Sequence, residues 1–173
     1  MRSSAYAMMV GAVLAAPLAG CASAGLALLR ALPDRGRECP GPLLPTEEMR
    51  GDFLLRQNVR AKGEGLDWAL TLVSQKRGQT LVLVGLDPFG AKQFTLTQQG
   101  TAVTVERPNG RLPLPPINLL RDLHRTRFRR PEAPPEPGVT IVSDSADSVT
   151  IRHAACGYDA TFVTVKDEPL PAP

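Results

Sequence analysis

The side chains of this 173-residue chain best suited to making bonds are three cysteines and two histidines: Cys21, Cys39, Cys156, His124 and His153. No two cysteines stand in a C-x-x-C pair, which sets a thiol–disulfide exchange site aside. Two cysteines and two distant histidines are too few for a zinc site, so no metal is expected. Ser143, Ser145 and Ser148 run with Asp144, Asp147 and, further on, His153, which are the residue types of a hydrolase. The Ser143–Ser148 stretch reads instead as an Asx-type turn, because short side-chain oxygens bond their own backbone. Neither G-x-S-x-G, nor H-E-x-x-H, nor a glycine-rich phosphate loop occurs. A non-catalytic protein without cofactor is the expectation.

The Cys21 thiol has a distinctive setting. Arg2 precedes a stretch without charge from Ala5 to Leu29. A positive start followed by an apolar run is the pattern of a secretory signal. The run contains Leu18-Ala19-Gly20-Cys21, which resembles the lipobox of bacterial lipoproteins. In that motif the cysteine sulfur takes up a diacylglyceryl group, and the small residues before it let a signal peptidase reach the bond. The resemblance implies a signal peptide over residues 1–20 and lipidation of Cys21. Two or three acyl chains, at about 0.8 kcal/mol per buried CH₂, then hold the chain on a membrane. Ala22, rather than Asp, follows the cysteine. That implies delivery by the lipoprotein-sorting machinery to the outer membrane, on its periplasmic side. Two other readings fit the same residues. One is an uncleaved transmembrane helix, since the uncharged run is long enough to span. The other is a secreted chain in which Cys21 has no role.

Export would leave Cys39 and Cys156 for each other. Leftover thiols outside the cytoplasm more often pair than stay free. Closing a loop of near 100 residues contributes about 4–5 kcal/mol in the chain-entropy model. Such a bond would fasten the leading segment to the C-terminal hairpin. Free structural thiols are the other reading. Composition agrees with a folded exported domain: 43% apolar and 21% charged residues, with a net charge of +3. The small charge excess argues against a nucleic-acid partner. Aromatic residues at 5% argue against a base- or sugar-stacking surface.

The elements that would position these residues follow from periodicity. Residues 21–45 read as a lipidated tether, with Pro33, Pro40, Pro42 and Pro45 blocking a long helix. Phe53–Arg60, the Trp68/Leu70/Leu72 stretch, Leu81–Val84, the Phe94/Leu96 stretch and the Val103/Val105 stretch read as successive strands. Lys62–Gly65, Lys76–Gly78, Gln99-Gly100 and Pro108–Gly110 break them, which predicts an antiparallel meander. No room exists between these strands for crossover helices. Pro115-Pro116 leads a helix in which Ile117, Leu120 and Leu123 recur at helical spacing before Arg127. Residues 131–138 read as a proline-rich loop. Val139–Val142, Val149–His153 and Asp159–Lys166 then close the sheet, and 168–173 read as a frayed tail.

The lipobox, the meander with Leu86-Asp87-Pro88-Phe89-Gly90 ahead of the Phe94 strand, the Pro-Pro-led helix and the closing hairpin resemble a small family of bacterial lipoproteins of unknown function. Its members are often encoded with aryl polyene biosynthesis genes, and it is similar in turn to the outer-membrane lipoprotein receptor LolB. The resemblance spans most of residues 46–167. It implies a mainly β (α+β) domain: an incomplete antiparallel β-barrel or curved sheet with one covering helix. It also implies an apolar cleft for a lipidic ligand such as an acyl chain, a lipoprotein or an aryl polyene lipid.

Trp68, Leu70, Leu72, Leu83, Phe94 and Leu120 are the residues expected to line that cleft, and they would serve equally as an ordinary core. Phe89 sits in a well-formed turn signal. It either touches a lipid, a membrane surface or the cleft rim, or folds back onto the core. Arg121, Arg125, Arg129 and Arg130, with Arg127 and Phe128 among them, either meet anionic head groups, for which guanidinium forks are suited, or form a solvated face. An acidic partner patch would fit them equally. Two functions compete: a carrier or receptor for a lipidic ligand, and a structural lipoprotein that docks another cell-envelope protein.

Overall fold

A computed structural model describes residues 38–107, 112–129 and 134–171. Eight strands form in chain order: β1 (Phe53–Gly63), β2 (Leu66–Arg77), β3 (Thr80–Leu86), β4 (Lys92–Gln99), β5 (Ala102–Glu106), β6 (Val139–Ser143), β7 (Ser148–His153) and β8 (Tyr158–Pro169). One α-helix, α1 (Pro116–Leu123), lies between β5 and β6. All the strands pair antiparallel in a single sheet of order β5-β4-β3-β2-β1-β8-β7-β6. The sheet is open, with β5 and β6 at its edges. The mainly β, antiparallel expectation therefore holds. The barrel is not closed.

The alternation of side chains dictates which face packs. In β1, Phe53, Leu55, Gln57, Val59 and Ala61 are buried, while Arg56, Asn58, Arg60 and Lys62 between them are exposed. Val59 sits between Leu70 of β2 and Phe162 of β8, so one row of apolar side chains crosses three strands. Gly85 of β3 faces Phe94 of β4, and a Cβ at Gly85 would run into that ring. A residue without a side chain is what admits the aromatic here.

The topology explains why α1 covers this face. β5 ends at one edge of the sheet and β6 begins at the other, so the chain between them crosses the sheet. Leu119, Leu120 and Leu123 of α1 are fully buried, and Ile117 is 8% exposed. The regular helix stops at Leu123, short of the expected Arg127, and the chain continues as a π-helical turn over His124–Phe128. The Thr126 hydroxyl donates to the carbonyls of Asp122 (3.0 Å) and Leu123 (3.2 Å), a side-chain bond that competes with helical pairing.

Two boundaries differ from the sequence expectation. Residues 38–45 are part of the packed domain, with Cys39 buried and Leu43 and Leu44 against the core. At the other end, β8 runs on to Pro169, and the Leu170 N–H donates to the Asp52 carbonyl at 2.9 Å.

Candidate functional site

The residues expected to line a cleft belong to a solid core. Leu72, Leu83, Phe94 and Leu120 have 0% accessible surface, so not even a water-sized void adjoins them. Leu70 is buried, and Trp68 is half-buried against the same cluster. The expected hollow between sheet and helix is filled by Leu119, Leu120 and Leu123 from α1. Periodicity identified the inward face correctly. It carries no information on whether the space between the faces is filled.

The far side of α1 is covered too. A strap of residues 38–44 lies along the polar side of α1 and the π turn, and two residues of each bond to it. Asn118 Oδ1 accepts the Cys39 N–H at 2.8 Å, and the Arg121 guanidinium donates to the Cys39 carbonyl at 2.6 Å. Arg125 donates to the Pro40 carbonyl at 2.8 Å, and His124 Nδ1 accepts the Leu44 N–H at 3.0 Å. Cys39 and Cys156 are joined by a disulfide, with Cα atoms 6.0 Å apart, which ties the strap to the β7–β8 turn.

The basic cluster is therefore partly turned inward. Arg125, 4% exposed, also pairs with Asp122 at 2.9 Å and Glu136 at 2.8 Å. Arg121 reaches Glu38 at 3.4 Å. Arg127 grips Asp167 with two bonds and lies 4.5 Å from the Phe53 ring centroid, and Arg129 donates to the Pro134 carbonyl. Arg125 is thus held inside the domain and Arg121 is bonded to residues 38 and 39, while Arg127 and Arg129 are half-buried with their bonds at the surface. Arg130, like Cys21 and the 1–20 segment, lies outside the described residues.

Asp122 is the centre of a buried network that the sequence did not announce. Its Oδ1 accepts from Arg125 and lies 2.8 Å from His153 Nε2, while its Oδ2 accepts from the Tyr158 hydroxyl at 3.1 Å. Asp122 is 0% exposed, with His153 at 3% and Tyr158 at 4%. Burial, and then the Asp122 charge, push the Tyr158 hydroxyl far above its ordinary range. Burial, reinforced by Arg125, holds the His124 imidazole down at about 4, so it is neutral at pH 7. A neutral ring that accepts at Nδ1 carries its proton on Nε2, and among the described residues that nitrogen has no partner. These groups brace α1 between strap and sheet.

The exposed element of interest is the β3–β4 turn. Asp87 Oδ1 accepts the N–H groups of Phe89 and Ala91, each at 2.9 Å, and its Oδ2 accepts from Gln93 at 3.2 Å. The Gly90 N–H closes the turn on the Asp87 carbonyl at 2.9 Å, with Gly90 at φ 86°, where a side chain would be strained. Phe89 stands at its tip, 97% exposed. It does not fold back onto the core. Beside the turn, Pro88, Asn58, Ala69, Thr71, Thr161 and Val163 line an open recess of about 660 Å³ on the solvent face of the sheet. Asn58 and Thr71, at facing positions of β1 and β2, point away from the core.

Residues 54–134, from β1 through α1 and the π turn, are similar to a family described as a protein of unknown function (DUF3261). No curated protein matches the chain.

Proposed function

We propose that the chain is a non-catalytic lipoprotein, anchored by acylated Cys21 to the outer membrane on its periplasmic side, that docks another cell-envelope protein through the β3–β4 turn. The observation that carries this reading is Phe89, 97% exposed on a turn that Asp87 locks with three side-chain bonds. An aromatic left in water forgoes about 2–3 kcal/mol that burial in a partner's pocket would supply. A locked turn fixes the backbone from which the ring projects, which lowers the ordering cost of seating it in a shaped protein pocket. The anchor rests on Leu18-Ala19-Gly20-Cys21 and the uncharged run around it. Among the described residues no helix is long and apolar enough to cross a membrane.

The LolB-like part of the reading now stands on the open antiparallel sheet with one helix against it. Its carrier part loses support, because the residues meant to enclose a ligand pack against one another. The test is in cells: a photo-reactive phenylalanine analogue at position 89, with a second at Thr101, exposed at the far end of β4, as control. A protein adduct at 89 that is absent at 101 and vanishes in the Cys21→Ser chain supports docking at the membrane. Adducts to lipid alone at 89, or equal protein adducts at both positions, sink it.

A further inference from the structure

We infer that the β6 edge of the sheet is a self-association surface, at which a second copy of this chain pairs antiparallel about Ile141. β6 is the last strand of the open sheet, and among the described residues it pairs only with β7. An unpaired edge is a template for another strand, and proteins that keep it free blunt it with charge, proline or a bulge. Val139-Thr140-Ile141-Val142-Ser143 has none of these. Thr140 and Ser143 are exposed, and Val139, Ile141 and Val142 are only half-buried.

The hydrogen-bond phase of β6 fixes which groups are on offer. The Ala154 N–H donates to the Gly138 carbonyl and the Asp144 N–H to the Ser148 carbonyl, each at 2.9 Å. In an antiparallel ladder bonded positions alternate. Even-numbered residues of β6 therefore bond to β7, and the main-chain groups of Val139, Ile141 and Ser143 point outward. The Val139 N–H is already taken, by the Glu136 carbonyl at 3.1 Å. What remains is the Ile141 N–H and carbonyl, the Val139 carbonyl on one side, and the Ser143 N–H and carbonyl on the other.

That set is self-complementary, as a twofold contact requires. Ile141 N–H meets the Ile141 carbonyl of the second copy, and the reverse. Each Ser143 N–H meets a Val139 carbonyl. Four bonds form; because the Val139 N–H is already spent, the Ser143 carbonyl at each end is left to water. Thr140 then faces Val142 on one side of the sheet, and the two Ile141 side chains face each other on the other. Asp144 falls opposite Gly138, so no like charges meet.

The register makes the test sharp. A bonded pair sets Cα atoms about 5.5 Å apart, within disulfide reach. Ser143 lies four residues from its own copy, about 14 Å along the strand. In membranes of cells making the full chain, mild oxidation should cross-link Ile141→Cys to a dimer, and neither Ser143→Cys nor the unaltered chain. In sedimentation of the processed full chain in detergent, the dimer should appear with concentration and be lost in Ile141→Pro. That proline removes an outward N–H and leaves the β7 ladder intact. If Ile141→Pro fails to fold, the two cysteine variants decide alone. Equal cross-linking at 141 and 143, a monomer at every concentration, or a dimer that survives Ile141→Pro in a folded chain overturns the inference. Phe89→Ser should leave the dimer unchanged, which separates this surface from the docking turn.

Discussion

Asn118 accepts the main-chain N–H of Cys39 at 2.8 Å, and through that bond the polar face of α1 holds the strap instead of facing water. Both residues are buried, so the bond has no water to replace it. Asn118→Leu leaves the N–H unpaired, at a cost of about 1–3 kcal/mol. The midpoint of urea unfolding should fall accordingly while the unfolding slope stays constant. An unchanged midpoint would show that the strap contributes nothing.

The disulfide acts on the same strap. Neither Cys39 nor Cys156 should react with an alkylating reagent in the non-reduced chain, native or denatured. Reduction should lower stability by about 4–5 kcal/mol if loop entropy governs, for a bond spanning 117 residues. Stoichiometric labelling of both thiols without reductant contradicts the bond.

Asp122 carries a different load. Asp122→Asn keeps the volume but removes the charge that Arg125 and His153 face in the interior. Breaking one side of a buried charge network costs about 3–5 kcal/mol. Against a domain stability of about 5–15 kcal/mol, thermal unfolding should shift by many degrees. A shift of under two degrees would mean that the network is not a brace.

The strands and the helix were legible because their signals are local. Alternation in Phe53–Arg60, glycine at each break and the Pro-Pro lead to Ile117 each act over a few residues. The Leu86–Gly90 turn was legible for the same reason, since Asp87 bonds residues two and four places on. The strap was not. Asn118, Arg121, Asp122 and Arg125 share a helix face that reads as solvated. Only the arrival of Cys39 and Pro40 from 79 to 85 residues away makes it an interior. Asp122 was hidden likewise, because His153 and Tyr158 arrive from 31 and 36 residues further along.

Leu120 tests the solid core directly. A cleft would accept Leu120→Trp as a plug and leave the fold intact. The packed interior found here has no room for an indole, since Leu120 and its neighbours Leu119 and Leu123 have no accessible surface. Overpacking costs about 1–3 kcal/mol, and occasionally more. Leu120→Trp should therefore lower the melting temperature by several degrees, and a fluorescent fatty acid should show no saturable uptake before or after the change. An unchanged melting temperature with loss of saturable binding would restore the cleft.

His124 gives the fold a pH dependence with a definite sign. Its folded value is held at about 4, below the ordinary 6.5, by burial and by Arg125. Between those values the unfolded chain binds a proton that the folded chain refuses. Stability attributable to this group is thus intact above pH 6.5 and lost progressively as pH falls toward 4. The loss approaches roughly 3 kcal/mol. His124→Gln offers a neutral oxygen to the Leu44 N–H and does not titrate. Urea unfolding at pH 7 and pH 4.5 should show the unaltered chain losing about 2–3 kcal/mol more than the glutamine variant over that interval. If the two lose stability in parallel, the imidazole is being protonated in the folded state, and burial beside Arg125 does not keep it neutral.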